Sequence, residues 1–151
     1  MIYETFMACG LVYCADRLLR NYVQSKTRWY ALHFLVNCVI VCLTFSDMVS
    51  ILTRPFQLTG SDMNWPSAFV MALHVHHGLF YPLVKLDIIH HVVMCGIMLI
   101  PMTIQDPIFI QYCNYCLFYV CGLPGGIDYA MMTLVTEGHL SKKTEKKINM
   151  F

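Results

Sequence analysis

The stretch from Trp29 to Leu52 constrains this chain most, because it is long and apolar enough to cross a lipid bilayer as one helix. Crossing takes about 20 mostly apolar residues. Composition agrees with a bilayer setting: 58% of residues are hydrophobic and 13% charged, against about 25% charged in an average soluble domain. A water-soluble surface built from so few charges would leave too much apolar area uncovered. With a net charge of +1, the chain also lacks the basic field that binds nucleic acid.

Further apolar runs follow the same logic. One extends from about Ile2 to Ala15, a short or trimmed membrane segment. Glu4 and the lack of a small-residue cleavage site argue against a signal peptide there. Others run from Trp65-Pro66, a helix-start signal, to about Leu83, from Ile88 to Ile104, and from Pro107 to Leu123. Pro101 is expected to kink or end the fourth run. Gly122-Leu123-Pro124-Gly125-Gly126 reads as a strong helix stop. The last run, Ile127 to Val135, is then a half-helix or re-entrant segment. The expected fold class is all-α, a single multi-pass bundle of five to six transmembrane helices with short loops and a polar internal cavity.

Basic residues orient such a bundle. Arg17, Arg20, Lys26 and Arg28 crowd the first polar stretch, and Lys142, Lys143, Lys146 and Lys147 crowd the C-terminal tail. Both regions are expected on the cytoplasmic side. The Arg54–Asn64 loop and the Gln105-Asp106 turn are expected on the opposite side, and Lys85 and the Pro-Gly-Gly break on the cytoplasmic one.

Polar residues inside these runs are costly, about 2.5–3.5 kcal/mol for an ionisable group at the bilayer centre, so their positions carry information. At 100° per residue, His33, Asn37, Thr44 and Asp47 fall within roughly an 80° arc of one helix. Ser67, His74, His77, Tyr81 and Lys85 share a face of the next, with His76 turned away. Asp87 precedes His90 and His91 by three and four residues, one helical turn. Gln111 and Asn114 sit one turn apart, and Asp128 follows the glycine break. Three coherent polar faces need one another or water, so His33, Asn37, Asp47, His74, His77, Asn114 and Asp128 are expected to line one cavity. Asp87 is placed to orient His90 or His91 as a general base.

His74-x-His76-His77 and His90-His91 also have the look of a histidine box for iron or zinc, but with seven histidines in all, no metal is assigned. The eight cysteines lie in apolar runs, where thiols act as small hydrophobes. The formal C-x-x-C of Cys113 and Cys116 lacks the second pair that a zinc site needs. Met94, Met98 and Met102 are expected to pack or line the interior.

Three stretches resemble the TLC (TRAM–LAG–CLN8) domain family, in particular an uncharacterised protist and algal type. They are Ser25-Lys26-Thr27-Arg28-Trp29 with Leu32-His33 and Asn37; Leu86-Asp87-Ile88-Ile89-His90-His91; and Gly122-Leu123-Pro124-Gly125-Gly126-Ile127-Asp128-Tyr129. The resemblance spans nearly the whole chain and implies about six membrane helices in the endoplasmic reticulum, with further sequence beyond Phe151. It implies membrane lipids as partners and a role in lipid metabolism or homeostasis. In the ceramide synthases of that family, adjacent histidines serve N-acyl transfer, and His90-His91 matches that pair. Acyl-CoA would be the co-substrate of such a reaction, and no other cofactor is implied. The synthase motif continues with Ser-Tyr, Asn and Arg, and His-Asp residues. Here Val92-Val93-Met94-Cys95-Gly96-Ile97-Met98 follows instead. That departure favours a protein that binds a lipid in its cavity or handles cargo, or one that acts on a different acyl substrate, over a ceramide synthase.

Overall fold

The structure is a computed structural model that describes residues 2–150, and every side chain among them but that of Met102. All regular structure in the described residues is helical: α1 (Ile2–Leu19), α2 (Arg28–Thr53), α3 (Trp65–Phe80), α4 (Lys85–Thr103), α5 (Pro107–Leu117), a π-helical turn (Phe118–Gly122), α6 (Leu123–Thr136) and α7 (Lys142–Ile148). Two helical stretches are long and apolar enough to cross a membrane, Arg28–Thr53 and the continuous Pro107–Thr136. At 1.5 Å per residue they extend about 39 and 45 Å.

The continuity of Pro107–Thr136 overturns the expected stop at the Pro-Gly-Gly segment, and with it the half-helix over Ile127–Val135. Proline lacks an N–H, and its ring strikes the carbonyl four residues back. Here the turn before it widens. The Leu123 N–H bonds to Phe118 O, five residues back, and the helix passes Pro124 without breaking. Such single π turns inside α-helices are a known accommodation.

The glycines are used for packing. A Cβ on Gly125 would lie 2.9 Å from Asn37 Nδ2, and one on Gly122 would lie 3.1 Å from Val41 Cγ2. Gly122 and Gly126, four residues apart, let α6 lie close against α2, as small residues do where membrane helices meet. Pro101 likewise does not end α4, which runs on to Thr103. The carbonyls near it are taken up by Thr103 Oγ1, which donates to Ile100 O at 2.9 Å, and by Gln105 Nε2, which donates to Pro101 O at 3.0 Å.

Consecutive helices run antiparallel, which gives the bundle two ends. At one, Gln24 N donates to Glu137 Oε1 at 3.2 Å, and Arg28 Nε lies 2.9 Å from both Asp16 Oδ1 and the Tyr81 hydroxyl. At the other, Ser61 N donates to Pro107 O at 2.8 Å and Gly60 N to Gln111 Oε1 at 3.1 Å. Gly60 has φ +78°, and a Cβ there would sit 2.6 Å from Pro107 Cβ, so only glycine fits this close approach.

Charge divides sharply between the ends. Of the ten lysines and arginines, Arg54 alone lies at the second end; the others gather around the first, the basal end. Glu4, Asp47, Asp62 and Asp106 belong to the second. A net charge of +1 thus conceals a strongly polarised molecule. The lysine-rich α7 and the Lys26 segment share the basal end, because α5 and α6 together run the full length of the bundle.

The core joins α1, α2, α3 and α5 through Ala8, Val12, Leu32, Val36, Ile40, Ala72, Leu73 and Leu117, with Met98 of α4 packed against them. Apart from such contacts α4 is peripheral. Leu86, Val92 and Val93 are 73%, 68% and 53% exposed, an apolar outer face with no protein over it.

Candidate functional site

In the basal half of the bundle, five histidines from three helices come together. The local chemistry begins with α2 and α3. His33 Nδ1 donates to Trp29 O at 3.2 Å, and His74 Nδ1 donates to Val70 O at 2.7 Å. Both are bonds to the carbonyl one turn back, and a carbonyl only accepts, so each Nδ1 carries the proton. In the neutral rings each Nε2 is then a bare acceptor.

The imidazoles of α4 meet those of α3 in pairs. His74 Nε2 lies 3.2 Å from His90 Nε2, and His77 Nδ1 lies 2.9 Å from His91 Nε2. The first pair has a defined direction: His90 Nε2–H donates to the bare His74 Nε2. Trp29 closes the basal side, its ring centre 3.6 Å from that of His77 and 3.7 Å from that of His33. On the other side Tyr129 stacks on His33 at 4.1 Å.

These side chains border a cavity of about 220 Å³ lined by His33, Asn37, His74, His90, Met94, Val120, Cys121, Gly125 and Tyr129, with Ile40, Val70 and Leu73. Met94 and Val120 are also walls of a second space of about 350 Å³ between α4 and α5. Its other walls are Ile97, Met98, Ile100, Pro101, Phe109, Tyr112, Cys113, Cys116 and Leu117. The histidine chamber, whose wall also carries Ile40, Val70 and Leu73, and the apolar groove therefore share Met94 and Val120 as wall residues.

The expected site residues separate into groups. His33, Asn37, His74 and His90 line the chamber. His77 and His91 form the imidazole pair at its basal edge, and His77 also borders a small vestibule with Ser25, Lys26, Trp29, Tyr30, Tyr81 and Pro82. Asp47 and Asn114 are not there. They are bonded to each other near the second end, with Asn114 Nδ2 2.7 Å from Asp47 Oδ2. Asp128 is at the basal surface, where it accepts from Asn149 Nδ2 at 2.8 Å.

Among the described residues Asp87 makes no hydrogen bond to a histidine. Its carboxylate accepts from Val84 N at 3.0 Å and closes the N-terminus of α4, the position where an acidic side chain meets free N–H groups and the positive end of the helix dipole. His76 faces away from the chamber as its angle suggests, with Nε2 3.6 Å from Asp16 Oδ2. Met94 lines the chamber and Met98 is buried, while the Met102 side chain lies outside the description. All eight cysteines are free. Among the described residues, no three His, Cys, Asp or Glu side chains converge on a point that an ion would occupy.

Sequence reasoning missed several participants. Tyr129 lies one turn beyond Gly125, so the spacing alone puts it on the face that meets Asn37. Trp29 lies one turn before His33. The Asp16–Arg28–Tyr81 cluster had no sequence signal, because its members come from α1, α2 and the segment after α3. There the Tyr81 hydroxyl donates to Asp16 and accepts from Arg28. Burial pushes the Tyr81 phenol up to about 12, so it stays a donor throughout the physiological range. Beside it, Glu137 accepts from Gln24 N at 3.2 Å and from Gln24 Nε2 at 3.3 Å.

Comparison with protein-family models, with curated proteins and with solved structures finds no match to this chain.

Proposed function

We propose that the chain is an integral membrane protein of TLC type whose five long helical passes hold one lipid. The lipid's polar head lies in the histidine chamber and its acyl chain in the α4–α5 groove. The observation that carries this reading is the adjoining of the two spaces through Met94 and Val120. An amphiphile needs polar partners and a continuous apolar path within one molecule's length. The uncovered apolar face of α4 supports a bilayer setting, and a lipid reaches the groove from the membrane beside that helix. Nine cations at the basal end support its placement at the cytoplasmic face. The resemblance of three stretches to TLC proteins supports a role in lipid homeostasis at the endoplasmic reticulum, as a lipid-binding or cargo-handling protein.

A second reading, N-acyl transfer, is kept by one observation. His90 lines the chamber and is held by His74, so a base adjoins the bound headgroup. Asp87 is engaged with Val84, and the hydrogen-bond support for such a base comes from His74.

Extraction of the full chain in mild detergent, followed by native mass spectrometry, tests the reading. One lipid is expected per chain, and narrowing the groove by Val120→Trp is expected to release it. Retention of no lipid by the wild type, or equal retention by the variant, would refute it.

A further inference from the structure

Two buried side chains in the chamber carry polar atoms that, among the described residues, no protein group pairs. Asn37 is 4% exposed and His33 8% exposed. Both line the chamber. Among the described residues the Asn37 amide makes no hydrogen bond, and His33 bonds only through Nδ1 to Trp29 O. Buried amide and imidazole groups are nearly always satisfied in folded proteins, and leaving one empty costs about as much as losing a hydrogen bond. The pattern is that of a ligand site.

The chemistry on offer is specific. His33 Nε2 is an acceptor, because Nδ1 carries the proton, and Asn37 supplies both a donor and an acceptor. A hydroxyl, one donor with acceptor lone pairs, matches this set. No lysine or arginine lines the chamber, and no aspartate or glutamate does. A phosphate or carboxylate would be buried without a counter-charge, and so would an ammonium, each at a heavy cost. Lys26 borders only the separate vestibule.

We infer that the headgroup site selects an uncharged, hydroxyl-bearing lipid, such as a long-chain alcohol or a monoacylglycerol, held by His33 Nε2 and the Asn37 amide. This rests on the amphiphile reading above and adds the class of headgroup. Gly125 serves the same site, since a Cβ there would fall 2.9 Å from Asn37 Nδ2.

The test offers the delipidated full chain an equimolar mixture of oleyl alcohol, 1-monooleoylglycerol, oleate, oleylamine and oleoyl lysophosphatidate, with occupancy read by native mass spectrometry. The two uncharged probes are expected to exceed each charged probe by about tenfold. His33→Phe, which keeps the ring stacked on Tyr129, and Asn37→Ala are each expected to flatten that preference while total occupancy persists through the groove. Asn37→Ser serves should Asn37→Ala fail to fold. Equal or tighter binding of a charged probe overturns the inference and leaves chain binding standing, as does a preference that survives both substitutions. Retention of none of the five overturns the amphiphile reading along with it.

Discussion

α2 carries two polar clusters on one face, His33 with Asn37 and, about 21 Å further along the axis, Asp47. They have opposite characters. Around Asp47 the groups are bonded to each other. Asn114 Nδ2 reaches both Asp47 Oδ2 and Met63 O, at 2.7 and 3.0 Å, and Gln111 Nε2 reaches Ser50 Oγ at 3.2 Å while its Oε1 accepts from Gly60 N at 3.1 Å. Among the described residues of this cluster, Asn114 Oδ1 is left over. Around His33 there is a chamber, and among the described residues the His33 Nε2 and the Asn37 amide that face it have no protein partner. The same helix face thus fastens the bundle at one end and presents a site at the other. A polar stripe by itself does not distinguish the two roles; what distinguishes them is whether its members find protein partners.

The sharpest way to break this contrast is at the fastened end. Asn114→Leu removes the donor to Asp47 and leaves a buried carboxylate without its hydrogen bond. Breaking such a contact typically costs about 3 kcal/mol. The expected outcome is a protein much less stable to graded denaturant in detergent, with any lipid bound by the folded fraction unchanged in kind. A stability loss no larger than that of His33→Phe would show that the two ends do not differ as described.

A smaller effect is expected where the packing of α6 meets the chamber. Gly125→Ala forces a methyl group against Asn37, and overpacking of this kind costs about 1–3 kcal/mol. Because the methyl pushes the Asn37 amide, the variant should lose headgroup preference more than chain occupancy. Competition between oleyl alcohol and oleate would show it, and an unchanged preference would mean that Asn37 is not the contact.

The contrast also explains what the sequence could and could not reveal. Spacing at 3.6 residues brought His33, Asn37, Thr44 and Asp47 to one face, and all four are buried. Spacing could not say that Asp47 would be taken by Asn114, since that depends on how α5 sits against α2. It also paired Asp87 with the nearest histidines, whereas the free N–H groups at the start of α4 were nearer competitors. At Gly122–Gly126 local propensity pointed to a stop. Close packing on α2 and one widened turn carried the helix through, so the glycines reported a helix contact, not a helix end. The imidazole pairs between α3 and α4 lay beyond any single-helix pattern, because they join two faces.

The most direct test of the central claim is to map where one bound lipid lies. An oleyl alcohol analogue with a photoreactive diazirine at the far end of its chain, and a second with the diazirine beside the hydroxyl, would be cross-linked to the full chain and the labelled peptides sequenced. The account predicts that the first labels the α4–α5 groove, at residues such as Ile97, Phe109 and Tyr112, and that the second labels the chamber around Met94, Asn37 and Tyr129. Labels from both probes scattered over the outer face of α4, at Leu86, Val92 and Val93, with none in the chamber, would contradict it.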